Sequence, residues 1–320
     1  MILMDISQDI KQEAIELGFD LVGITDASSV GAEQAHILTE WLESGYAGQM
    51  EYMNKNLSKR LNPAELMKNA QSVIVVGLNF SLPQKEPKPV HQEEPTGKVA
   101  TYAQYEDYHP FIKERLFKLA DFMNTIAGDG LKFKVCVDSA PVAERALAVR
   151  AGLGFIGRNH MLIHPKLGCR MFLGEMITDV VLPSDEPIIA DCADCKKCIE
   201  VCPTGALRPD GQFDAGRCIN YLTIEHKGPI PREPAKKIGD RLFGCEECIR
   251  ICPYQRHAPS CMNEKFKFHP DKAELSLERI LNMSSESFNA EFTDSVIKRL
   301  GLEGLKRNAH ICLGNMTGHY

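Results

Sequence analysis

Cysteines supply the first chemistry in this 320-residue chain. Cys192, Cys195, Cys198 and Cys202 follow the spacing C-x2-C-x2-C-x3-C and lead into Pro203. Cys245, Cys248 and Cys252 repeat the scheme before Pro253, and Cys218 stands alone between the two runs. In bacterial ferredoxins with this spacing, the first three thiolates hold one [4Fe–4S] cluster and the fourth reaches to the other. The expected pairing is Cys192, Cys195, Cys198 and Cys252 on one cluster, with Cys202, Cys218, Cys245 and Cys248 on the second. Structural zinc is the alternative, but zinc sites come as C-x2-C pairs joined by a longer spacer. Two clusters in one chain form a one-electron path, so the chain is expected to move electrons. Cys136 and Cys312 fall in apolar strand and helix patterns and read as buried small hydrophobes, while Cys169 and Cys261 stay ambiguous.

The second chemistry is a carboxyl group. Asp138-Ser139-Ala140-Pro141 follows a strand pattern over 132–138 and opens a helix with Glu144-Arg145. Open α/β sheets bind ligands at such strand ends. Asp138 or Ser139 capping the helix is the plainer explanation. Gly152, Gly154 and Gly157 allow close backbone approach to a bulky cofactor, or form a tight turn. Asp107-Tyr108-His109 half meets the corrinoid signature D-x-H-x-x-G, but Ile112 stands where glycine is required, so His109 reads as a helix-start residue.

These groups need elements to place them. Apolar spacing predicts helices over 6–17, 33–44 and 108–126 and strands over 19–25, 72–79, 132–138 and 171–182, with a further helix over 141–151. The unbroken apolar run Ser72–Asn79 is that of a strand buried on both faces. Strands alternating with helices over 1–182 indicate an α/β domain. Residues 83–97, with four prolines, predict a loop or flap. Residues 183–262 form a cysteine-rich module held by its clusters rather than by a large core. Residues 263–320 predict short helices, the last packed through Leu305, Ala309 and Leu313. No stretch is long and apolar enough to span a bilayer, and no signal segment opens the chain, so a cytoplasmic location is expected. The net charge is −6, and residues 1–54 carry one Lys against ten Asp and Glu, which leaves +3 for the rest.

The residues beyond the cysteines resemble the epoxyqueuosine reductase family. The resemblance is carried by Asp107-Tyr108-His109, Val137-Asp138-Ser139-Ala140-Pro141 with Glu144-Arg145, and Ala151–Gly157 with Asn159. It continues through Phe172-Leu173-Gly174-Glu175, Tyr221-Leu222-Thr223-Ile224-Glu225, and Arg307-Asn308-Ala309 with Leu313-Gly314-Asn315. The family pattern often has Lys at Arg158, Ser at Cys169 and Asp at Glu246, and some members carry a longer repeat tail. The resemblance implies a nitroreductase-like α+β domain, a ferredoxin-like two-cluster module and a short HEAT-like helical end. It also implies base-off cobalamin and reduction of epoxyqueuosine in tRNA to queuosine, in a monomer fed by an external one-electron donor.

On that resemblance Asp138 is the general acid, and Arg60, Tyr102, Asp138, Arg158, Tyr221, Thr223 and Glu225 neighbour the cofactor. A carboxyl group in that role needs a raised pKa, which burial beside an apolar corrin would give. Lys227, Arg232, Lys236, Lys237 and Arg241, and then Lys298, Arg299, Lys306 and Arg307, are two basic groups suited to tRNA phosphates or to solvated faces. A corrinoid reductive dehalogenase and a ferredoxin-type electron carrier are the alternative functions; the size of the first domain speaks against the carrier.

Overall fold

The computed structural model describes residues 2–83, 94–128 and 130–319. Among them the strands are β1 Leu21–Asp26, β2 Ser72–Asn79, β3 Thr96–Val99, β4 Phe133–Cys136, β5 Phe155–Ile156, β6 Leu162–Ile163, β7 Met171–Thr178, β8 Arg241–Phe243 and β9 Glu274–Ser276. Of the loop or flap expected over 83–97, residues 84–93 lie outside the described residues, and its end is strand β3.

The main sheet has the order β1-β2-β7-β4. All of its pairings are antiparallel. The first region is therefore α+β, and the rule for ligands at strand ends of a parallel sheet does not apply to it. Every residue of β2 and β7 is buried, because helices cover both faces. On one face Ile74, Val76 and Leu78 pack with Ile112, Leu116 and Leu119 of the 108–127 helix. Gly174 lets that helix approach, since a Cβ there would lie 2.5 Å from Ile112 Cγ2. On the other face Val73, Val75, Leu173 and Ile177 pack with Leu147 and Ala148 of the 144–150 helix. Strand periodicity places Glu175 on this second face, opposite Val75 on β2 and Cys136 on β4.

A second sheet joins the three stretches of chain. β3 pairs parallel with β8 of the cysteine-rich stretch and antiparallel with β9 of the final stretch. Their shared core includes Val99, Leu242, Phe243, Leu275, Leu305 and Ala309. The last helix, Leu302–Met316, is fastened to the cysteine-rich stretch by Asn308, which is buried and donates to the carbonyls of Thr223 (2.8 Å) and Leu242 (3.0 Å). No described helix is long and apolar enough to cross a membrane.

Candidate functional site

Where the three stretches meet, they enclose a cavity of about 1000 Å³. That is the upper end of the ~300–1,000 Å³ typical of small-molecule sites. Its walls combine apolar side chains (Met161, Met171, Phe172, Phe243) with a polar corner of His109, Asp138, Glu144 and Arg299.

Four separate elements build that corner. Asp107 caps the 108–127 helix by accepting from the His109 N–H at 3.0 Å. Its carboxylate also lies 2.6 Å from His109 Nδ1. That bond points the other ring nitrogen, Nε2, at Asp138 Oδ2, 3.1 Å away. Tyr108 steadies the region by stacking on Phe172, with ring centroids 3.9 Å apart. From the final stretch, Arg299 Nη1 reaches the same Asp138 oxygen at 3.4 Å. Asp138 itself has φ of 51°. This left-handed conformation costs a non-glycine residue of order 1–2 kcal/mol, though Asp tolerates it better than most. It is held there by its own N–H donating to Glu144 Oε1 at 2.6 Å.

Neither Asp138 nor Ser139 caps the 144–150 helix, whose N-cap is Ala143 with no side-chain bond. The plainer explanation of the motif thus falls away. His109 is a helix-start residue, but it is also the partner of the aspartate. Its signal was the Asp107–His109 spacing. The incomplete corrinoid signature hid it.

The charges of the corner divide into two pairs. Burial pushes Asp138 up, but the His109 hydrogen bond and the charges of His109 and Arg299 outweigh it and hold the carboxyl below its ordinary value. The raised value expected for this acid is therefore not found in this arrangement. Burial pushes His109 down, yet its bonds to Asp107 and Asp138 win and raise it, so the proton shared by Asp138 and His109 rests on the imidazole. Glu144 behaves oppositely: burial and the neighbouring Asp138 charge push it up to about 7. Glu175, fully buried beneath, is raised further by burial and by the charges of Glu144 and Asp138.

The cysteines surround a second, smaller space. Cys192, Cys195, Cys198 and Cys252 all line one cavity of about 220 Å³. Cys202, Cys218, Cys245 and Cys248 lie within electrostatic reach of one another in every pairing. Among the described residues no three such side chains converge on one ion-sized point. Thiolates around a space fit the multi-atom cluster better than a single zinc, whose sulfurs converge at about 2.3 Å. None of the second set lines the large cavity, but Cys218 acts electrostatically on Tyr102, which does. Cys136 and Cys312 are buried in apolar clusters. Cys169 is buried beside Cys252.

The remaining expected site residues separate. Tyr102, Asp138 and Glu225 line the large cavity. Arg158 lines the small one and donates to the Ala193 carbonyl at 3.0 Å. Thr223 is buried and bonds within its own helix, to the Ile219 carbonyl at 2.8 Å. The Tyr221 hydroxyl accepts from the Gln49 N–H at 2.7 Å. Arg60 donates to the Val142 carbonyl at 3.2 Å, just behind the Asp138 loop.

Among the basic residues, Lys227 and Arg299 line the large cavity. Arg232, Lys236, Lys237 and Lys298 are exposed. Lys306 is half-buried. Arg241 pairs with Glu247 at 2.7 Å. Arg307 donates to three backbone carbonyls, those of His226 (2.6 Å), Gly228 (3.1 Å) and Leu222 (3.0 Å), so its guanidinium shapes the cavity wall.

Known proteins place this arrangement. Residues 60–139 match the family model "Epoxyqueuosine reductase QueG, DUF1730", and residues 191–255 match the 4Fe-4S double cluster binding domain. An epoxyqueuosine reductase of Pseudomonas aeruginosa is 39% identical, over 97% of this chain and 85% of its own length. An epoxyqueuosine reductase crystallised with an epoxyqueuosine-modified tRNA-Tyr stem loop superposes with a TM-score of 0.90 at 30% identity, over 98% of this chain and 82% of that one. A Bacillus subtilis epoxyqueuosine reductase, described with the loop of its catalytic aspartate swung out of the active site, gives the same TM-score, identity and coverage. This chain is an oxidoreductase with a double [4Fe–4S] cluster module, and it belongs to the epoxyqueuosine reductase family.

Proposed function

We propose that the protein reduces the epoxide of epoxyqueuosine at the wobble position of a tRNA to the alkene of queuosine, with cobalamin, base-off, in the large cavity. The observation that carries this reading is the cavity itself, which is lined by the aspartate–histidine pair and by Tyr102, on which Cys218 acts electrostatically. When bound, cobalamin supplies a low-potential centre that reduces the epoxide carbon. Apolar walls and a cavity of about 1000 Å³ suit a bulky macrocycle, with Tyr102 and Glu225 on its border and Arg60, Arg158, Tyr221 and Thr223 in the surrounding frame.

The chain's own residues supply order and protons. Cys192, Cys195, Cys198 and Cys252 would hold one cluster and Cys202, Cys218, Cys245 and Cys248 the other, and the pair would supply single electrons taken from an external donor. His109 holds a proton and hands it through Asp138 to the departing oxygen. The strained φ of Asp138 suits a loop that moves, as the loop of the Bacillus subtilis relative does. Of Lys227, Arg232, Lys236, Lys237, Arg241, Lys298, Arg299, Lys306 and Arg307, the exposed ones are taken to meet tRNA phosphates, while Arg241 and Arg307 are held by Glu247 and by backbone carbonyls. We take the three stretches 1–182, 183–262 and 263–320 as cofactor, wire and helical parts, the first nitroreductase-like and the last HEAT-like, in a cytoplasmic monomer.

The test is anaerobic protein reconstituted with iron, sulfide and cobalamin, given a chemical reductant and epoxyqueuosine-containing tRNA. Queuosine should form only when both cofactors are present. Formation of queuosine without cobalamin would refute the reading.

A further inference from the structure

Reduction of an epoxide to an alkene breaks both of the oxygen's carbon bonds and forms one carbon–carbon π bond. Two electrons enter, and the oxygen takes two protons and leaves as water. The His109–Asp138 pair holds one such proton. The second needs another source within the cavity.

We infer that Glu144 delivers the second proton to the departing oxygen, and that the buried, neutral Glu175 behind it keeps a further negative charge out of the corner. The inference rests on the proposed reaction. Its first ground is position. Glu144 lines the cavity beside Asp138, and its Oε1 already accepts the Asp138 N–H at 2.6 Å, which fixes the carboxyl group next to the acid loop. The second ground is Glu175. It is completely buried on the sheet face that the 144–150 helix covers, opposite Cys136 and Val75, and neither of its carboxyl oxygens has a hydrogen-bond partner. A buried, unpartnered carboxyl group stays protonated, because a charge there would have no compensation. The sheet side of the acid corner thus carries a neutral carboxyl group that feels the charges of Glu144 and Asp138.

The electrostatics agree. Glu144 faces Asp138 on the preceding loop, Arg145 on its own helix, Arg60 on the short helix Leu57–Leu61 and Glu175 on β7. Burial and the Asp138 charge raise it more than the two arginines lower it, and it titrates at about 7. It is therefore partly protonated at neutral pH, as a donor working near neutrality must be.

The experiment uses reconstituted holoenzyme with epoxyqueuosine-containing tRNA, and compares wild type with Glu144→Gln, Glu175→Gln and Asp138→Asn. Each amide keeps the size of the acid it replaces. In the wild type both protons must be in place, so the logarithm of turnover should fall with a slope approaching −2 at alkaline pH. Glu144→Gln should reduce turnover by about ten- to a hundred-fold, below the 10²–10⁴ typical of a sole acid, and should reduce the alkaline slope to −1. Glu175→Gln should remove the protonated-carboxyl stretch from the infrared spectrum at pH 8, a readout that needs no cofactor. Wild-type turnover with an unchanged slope in Glu144→Gln would overturn the inference, as would a Glu175→Gln spectrum identical to wild type. Full activity of Asp138→Asn would instead refute the proposed acid pair. Failure of the wild type to turn over the tRNA would refute the reaction itself.

Discussion

The two ends of the large cavity are built from different materials. Asp138 and Glu144 rest on a sheet whose central strands are buried along their whole length, under helices of up to 20 residues. The cluster wall opposite stands on helices of 4–7 residues. Its apolar clusters are small and include the cysteines themselves. The acid corner is placed by the folding of the apolar core. Apart from Leu242 and Phe243, which join the larger core, the cysteine-rich stretch has small apolar clusters, so metal binding is expected to contribute to its folding. One end of the site is preorganised by the chain and the other by its cofactors.

Removing the iron breaks this comparison most severely. Anaerobic chelation should abolish turnover completely. Hydrogen exchange should then accelerate in Ile219–Ile224 and Arg232–Ile238, while β2 and β7 stay protected. Equal loss of protection in the sheet would show that the two ends fold as one unit. The next largest effect is at the acid corner: Asp138→Asn should lower turnover by about 10²–10⁴-fold. The electron paramagnetic resonance of the reduced clusters should not change, because no cluster ligand is touched. A weakened cluster signal would mean that the two ends are coupled.

The same contrast decides what could be read from the sequence. Cluster ligands sit two to four residues apart on short helices and turns, so their spacing states their purpose without any knowledge of the fold. Strand Ser72–Asn79 was equally plain, since eight consecutive buried residues leave no polar face to confuse the pattern. The acid corner was legible only at Asp138. His109, Glu175 and Arg299 come from distant parts of the chain, Arg299 being 161 residues away from Asp138, and Glu144, six residues on, carried no local sign of its role. Nothing local to Glu175 announces a buried carboxyl group inside an apolar strand. Strand direction was also hidden, because a buried strand shows the same apolar run in a parallel or an antiparallel sheet. Arg307 looked like a phosphate ligand, since sequence cannot show that backbone carbonyls already occupy its donors.

Glu175 also gives the sheet a pH signature. Its folded-state pKa lies well above the ordinary 4.5, so the folded protein keeps a proton that the unfolded chain releases. The stability tied to this group is fully present below 4.5 and is lost as the pH rises toward the folded value. The slope is about 1.4 kcal/mol per pH unit. Glu175→Gln should therefore match wild type near pH 4 and exceed it increasingly between pH 5 and pH 7. His109 also has a raised value, so its stabilisation likewise fades as the pH rises past 6.5. The comparison is thus made against wild type, with His109 present in both. Parallel stability curves for the two proteins would mean that Glu175 is ionised in the fold.

The smallest effect concerns the entrance. Lys298 is exposed, and Lys306 lies on the last helix without the carbonyl contacts that hold Arg307. Arg232, Lys236 and Lys237 sit on a helix of the cofactor-dependent wall. Each contact with a single-stranded phosphate contributes about −0.7 to the slope of log affinity against log salt. Replacing Lys298 and Lys306 together by Ala should flatten the slope by about 1.4 if both touch phosphate, and raise the apparent KM, while reduction of bound tRNA keeps its rate. The triple change Arg232→Ala, Lys236→Ala, Lys237→Ala should flatten the slope by about 2.1 on the same rule. The two sets differ in what places them. Chelating the iron should erase the contribution of the second set, whose helix loses its support, and leave that of the first. If both contributions survive chelation, the wall does not depend on its clusters for shape, and the contrast between the two ends of the cavity is one of chemistry alone.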